Sequence, residues 1–135
     1  MIPSGLVARA ACTLSVALTI LSVLHLYWVF GGTWGLAAAL GRQEIDASTG
    51  LRIAAGAVAI ALLIAAVGVL GRVGFWGDVL PWVLFVWGTW ALAAALLLAA
   101  LLNLTGRTWM ERLLFAPIAL ALGALALIIA RSPRP

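Results

Sequence analysis

The sequence predicts an all-α integral membrane protein: four transmembrane helices, at about 5–30, 51–71, 78–102 and 109–130, in an up-down antiparallel bundle. Composition comes first. Of 135 residues, 66% are hydrophobic and 9% charged, far from the roughly half and roughly a quarter of soluble domains. Second, the apolar residues form four long blocks, and blocks of about 18 or more such residues read as membrane spans. Third, the polar connections between blocks are short, so residues 1–135 form a single domain whose consecutive helices are neighbours.

The first helix opens after Pro3 and Ser4, natural residues before a helix start, and ends at Gly31 and Gly32. A signal peptide is the competing reading, with Arg9 as its charged region and Ala37 and Ala39 as its cleavage site. The apolar run from Ala10 to Phe30 is longer than the usual 7 to 15 residues, which favours a retained helix. Cys12, Ser15, Thr19 and Ser22 recur at spacings of three and four, a stripe with His25 at its edge. Such hydroxyls serve helix-to-helix bonding, or else a polar track leading to the histidine.

The second helix carries Gly50, Ala54, Ala57, Ala61, Ala65 and Gly68, a small-residue stripe suited to close packing. The third is expected to start at Asp78 as N-cap, with Pro81 in its first turn. Thr108 and Glu111 have capping-box spacing and start the fourth. In it, Ala116, Ala119, Gly123, Ala126 and Ala130 form a second seam, and Pro117 should kink it.

Charge narrows the function classes. All eight basic residues are arginines, the acids number four, and the net charge is +4. The arginines sit at block ends, which fits lipid headgroups and gives no clustered footprint for nucleic acid. Lysine is absent, so Schiff-base chemistry is excluded. Cys12 is the only cysteine, which excludes an intrachain disulfide and a CxxC pair. Arginines divide evenly between the two faces, and the free amino group on one with the extra acids Glu44, Asp46 and Glu111 on the other points to both termini in the cytoplasm of a cell (inner) membrane.

Candidate ligand-binding residues are His25, Trp28, Trp34, Trp87 and Trp90. His25 is the only histidine and lies within a membrane segment, where an ionisable group is a functional hypothesis by default. Bonding to Ser22, Trp34 or a backbone carbonyl is its structural alternative, and axial ligation of haem or chlorophyll its cofactor alternative. Trp87 and Trp90 share one helix face and could pack in the bundle or form a platform for a flat ligand or a cation. Asn103, Leu104 and Thr105 spell a glycosylation sequon, read as chance so close to a helix end.

The run HLYWVFGGTWG, His25 to Gly35, at the end of the first helix and FAP, 115 to 117, in the last carry a resemblance. The chain resembles a family of small bacterial four-helix membrane proteins catalogued as a domain of unknown function. The resemblance implies fold and membrane location and carries over no catalytic residue.

Three functional readings follow. The first is a non-catalytic structural or accessory protein, assembling as a homo-oligomer or in a larger complex through the seams Ala57, Ala61, Ala65 and Ala119, Gly123, Ala126. The second is a transporter-like bundle binding a small molecule or lipid; the third uses His25 for a cofactor. Catalytic and metal-ligating constellations are not expected, because Ser22 and His25 lack an oxyanion-hole element and no His/Cys/acid cluster accompanies them.

Overall fold

In the computed structural model, residues 5–36, 48–76 and 79–133 are described. They form α1 (Gly5–Val29), α2 (Thr49–Arg72), α3 (Trp82–Leu104) and α4 (Ala116–Ala130), the last entered through a π-helical turn at Glu111–Phe115. Taking the π turn with α4, all four helices have 20 to 25 residues and are long and apolar enough to cross a membrane.

The helix ends follow from local chemistry. At the end of α1, Gly32 N–H donates to the Tyr27 carbonyl and Gly31 N–H to that of Trp28. This is a Schellman motif with Gly31 at φ 91°, a conformation that costs glycine nothing. The end of α2 repeats it: Phe75 bonds back to Leu70, Gly74 to Gly71, and Gly74 has φ 85°. Ser48 caps α2 by accepting from Leu51 N–H. The capping box at Thr108 and Glu111 is formed, with reciprocal bonds of 2.7 Å and 3.2 Å.

Two boundaries differ from expectation. Helix α3 starts at Trp82 with Pro81 as its N-cap, ψ 127°, rather than near residue 78. Proline disfavours helical backbone at the residue before it, so the helix begins after Pro81, not through it. Asp78, the expected cap, lies outside the described residues. The disturbance expected from Pro117 takes the form of the π turn, in which Ala116 N–H reaches the Glu111 carbonyl. Proline offers no N–H to the preceding turn and its ring presses on that turn, so an added residue there relieves the conflict.

Helices α1 and α2 form one hairpin and α3 with α4 the other; α1 also touches α4, and α2 touches α3. Two buried hydroxyls register the first hairpin. Ser22 donates to the Ala59 carbonyl at 2.8 Å and Ser15 to that of Ala66 at 3.1 Å. Seven residues forward on α1 match seven back on α2, the antiparallel arrangement. Thr19 bonds only to its own helix, at Ser15, and Cys12 is exposed.

These bonds also set the rotation of α2. Its packing face is Ala55, Ala59, Ala66 and Val69, whereas Ala57 and Ala61 point outward and Ala65 is half-buried. The seam expected along α2 therefore does not close the hairpin, because the carbonyls that accept from Ser15 and Ser22 lie on another side of the helix. On α4 the expected seam is the inner face: Gly123 and Ala126 are buried and Ala119 half-buried. The central core joins Ala11, Leu14 and Leu18 to Val69, Ala93, Ala126 and Ile129. A smaller cluster of Trp28, Leu36 and Ala55 lies under the His25 end.

Candidate functional site

At the end of the molecule where α1 terminates, a cavity of about 660 Å³ opens between α1 and the α3–α4 hairpin. That volume lies within the range of small-molecule sites. Its walls are apolar, with Leu21, Leu24, Leu96 and Leu122 among them, and His25 and Asn103 bring side-chain polar groups to it. Trp28 and Trp34 line it too, and Leu114 and Phe115 of the π turn form part of the wall. π turns inside α-helices occur frequently at functional sites, and this one widens α4 where it borders the cavity.

His25 is held by its own helix. Its Nδ1 lies 2.7 Å from the Leu21 carbonyl, an oxygen that can only accept, so Nδ1 carries the proton. In the neutral ring Nε2 is then a bare acceptor, and it has no partner among the described residues. The ring packs edge-to-face on Trp28, centroids 4.7 Å apart. Trp28 in turn donates from Nε1 to the Trp34 carbonyl at 2.9 Å, which ties the connection after α1 down beside the cavity. Asn103 donates from Nδ2 to the Ala99 carbonyl at 2.8 Å, leaving its Oδ1 and one N–H for another partner.

The structure thus brings together three of the five candidate ligand residues, His25, Trp28 and Trp34. Trp87, 70% exposed, and Trp90, 39% exposed, stand on the outer side of α3 and line neither this cavity nor the groove described next. Ser22 does not pair with His25, because its hydroxyl is committed to Ala59. Among the described residues no group of three or more His, Cys, Asp or Glu side chains could hold a metal. Asn103 is the site residue that sequence reasoning missed. Its signal was an amide at the end of an otherwise apolar helix, which the sequon reading obscured.

A second concavity, an apolar groove of about 840 Å³, lies between α2 and α3 and is lined by small residues, Ala61, Ala65, Gly68, Gly88 and Ala95 among them. At the opposite end of the molecule from His25, Arg72 is buried at the close of α2. Its Nη2 donates to the carbonyls of Ala130 and Ser132, at 3.2 Å and 2.5 Å.

A profile of the family described as "Protein of unknown function (DUF3995)" matches residues 18–126. The chain belongs to that family. The DUF3995 match takes in the His25–Gly35 stretch, all of α2 and α3, and α4 as far as Ala126, so every residue that lines the cavity lies within the family segment. The assignment agrees with the resemblance carried by HLYWVFGGTWG and FAP. No curated protein and no solved structure matches the chain.

Proposed function

We propose that this DUF3995 protein is a non-catalytic membrane protein that binds an apolar small molecule or lipid in the cavity between α1, α3 and α4. The observation that carries the reading is the cavity itself: about 660 Å³, apolar walls, and His25 and Asn103 among the lining residues. A binding role without chemistry is supported by the commitment of the Ser22 hydroxyl, one turn from the imidazole, to the Ala59 carbonyl. We place it in a bacterial inner membrane with both termini cytoplasmic: the arginine count ties between the two faces, and the orientation rests on the amino-terminal charge on one and the extra acids Glu44, Asp46 and Glu111 on the other.

The test is retention. Protein purified into nanodiscs of one synthetic lipid should carry an apolar molecule at about one per chain, detected after solvent extraction by mass spectrometry. Ala99→Phe, which fills the cavity, should lose it. A Soret or chlorophyll absorption band that vanishes in His25→Ala would turn the reading to cofactor binding through Nε2. Retention undiminished by Ala99→Phe would overturn the site.

An accessory role in a larger assembly has its own support: Ala57 and Ala61 present a small-residue surface on the outside of α2. Ala57→Leu should then break up an assembly purified from the native membrane while leaving the monomer folded. An assembly that survives this change removes that second reading.

A further inference from the structure

The polar equipment of the cavity is specific about hydrogen-bond polarity. His25 Nδ1 is spent on the Leu21 carbonyl, so the neutral imidazole offers a ligand the lone pair of Nε2. Asn103, with one N–H spent on the Ala99 carbonyl, retains an acceptor oxygen and a single N–H. Among the described lining residues there is no arginine, and Trp28 Nε1 is already given to the Trp34 carbonyl. The Trp34 indole adds one N–H donor to the lining, and the remaining side chains are apolar apart from the thioether of Met110.

An acceptor-only headgroup meets only part of this set. A phosphate, carboxylate, ester, ether or quinone carbonyl can accept from the N–H groups of Asn103 and Trp34, but it leaves the lone pair of His25 Nε2 without a donor. A hydroxyl answers both groups, because it donates to Nε2 and can accept from the remaining N–H of Asn103. The leucines, Ile118 and Phe115 behind them supply an apolar wall for a hydrocarbon tail.

We infer that the cavity selects a hydroxyl-headed amphiphile, a long-chain phenol or alcohol, with His25 Nε2 as the acceptor of its O–H. This rests on the cavity being a ligand site. A phospholipid held by its phosphate, which has no O–H to give, is the occupant that the lone pair of His25 Nε2 argues against.

The experiment uses the full-length protein in nanodiscs of one phosphatidylcholine, exposed to an equimolar mixture of 4-dodecylphenol and its methyl ether and read by native mass spectrometry. The two probes share tail and ring and differ only in the donor proton. The phenol adduct should exceed the ether adduct by about tenfold, the value of one hydrogen bond made in place of one lost. His25→Phe keeps a ring of similar bulk without the acceptor and should bring the ratio close to one while both probes still bind. Equal binding of phenol and ether by the wild type would overturn the donor rule and leave the cavity standing as an unselective apolar site. Binding of neither probe would overturn the cavity reading as well. A tenfold preference that persists in His25→Phe would overturn the role given to Nε2.

Discussion

The guanidinium of Arg72 lies 4.6 Å from the centroid of the Trp82 ring, so the last residue of α2 is stacked on the first of α3. One edge of the same group caps α4 through Ala130 and Ser132. Its other two nitrogens, Nε and Nη1, are buried without a hydrogen-bond partner among the described residues. Charge-assisted capping and stacking favour the arrangement by a few kcal/mol, and the orphaned N–H groups oppose it by a similar amount. Arg72→Met, which keeps the stem and removes the charge, should therefore remain within about 1 kcal/mol of wild type. Arg72→Lys keeps a buried charge but loses the planar fork and the stack, and should cost about 1–3 kcal/mol. Thermal unfolding in detergent ranks the two. Lysine tolerated better than methionine would mean that the charge itself, not the planar group, holds the helix ends.

The rotation of α2 makes a paired prediction. Ala59 is fully buried against α1 beside the Ser22 bond, and Ala57 is on the opposite, exposed face. Ala59→Leu should overpack the hairpin and cost about 1–3 kcal/mol, whereas Ala57→Leu should leave monomer stability within about 0.5 kcal/mol. Ser22→Ala should cost about 0.6–1.7 kcal/mol, the measured scale of interhelical hydrogen bonds in membranes. Melting temperatures of the three variants, read side by side, check the register; equal losses at positions 57 and 59 would refute it.

Gly71 and Gly68 are separated by one turn but differ in surroundings. A Cβ at Gly71 would overlap the ring of Phe85, which is buried where α2 meets α3, while one at Gly68 meets open space. Gly71→Ala should cost about 1–3 kcal/mol through displacement of that ring. Gly68→Ala should be neutral or stabilising by up to about 1 kcal/mol, since alanine restricts the unfolded chain. Denaturant unfolding of both variants tests whether α2 and α3 meet closely only at this end.

The hydrophobic blocks made the four spans legible, because length and apolarity are properties of each segment alone. Which face each helix turns inward was legible on α4 and not on α2. On α2 alanines occur at positions 54, 55, 57, 59, 61, 65 and 66, so several stripes of small residues compete. Only the partner hydroxyls of Ser15 and Ser22 choose between them, and their choice is a tertiary fact. His25, Trp28 and Trp34 stood out because a lone histidine among tryptophans is unusual in an apolar chain. Asn103 did not, since its meeting with His25 across the cavity depends on how two hairpins dock. Pro117 announced a disturbance but not its form, which is set by how the turn before it accommodates the ring.

That turn gives the last prediction. Pro117 follows the π-helical segment Glu111–Phe115, and Leu114 and Phe115 of that segment face the cavity. A proline in a helix interior costs up to about 3 kcal/mol, because it withholds an N–H and its ring crowds the turn behind it. Pro117→Ala returns the N–H and removes the crowding, which allows the turn to tighten to α-helical pitch and rotates Leu114 and Phe115 relative to α1. The variant should melt at a higher temperature than wild type. It should also retain less of the cavity's ligand in the nanodisc assay, since the wall that the π turn shapes is lost. The opposed signs are the discriminating feature. A purely structural proline would lower or leave unchanged both quantities, whereas a gain in stability coupled to a loss of binding would show that the widened turn is kept for the site.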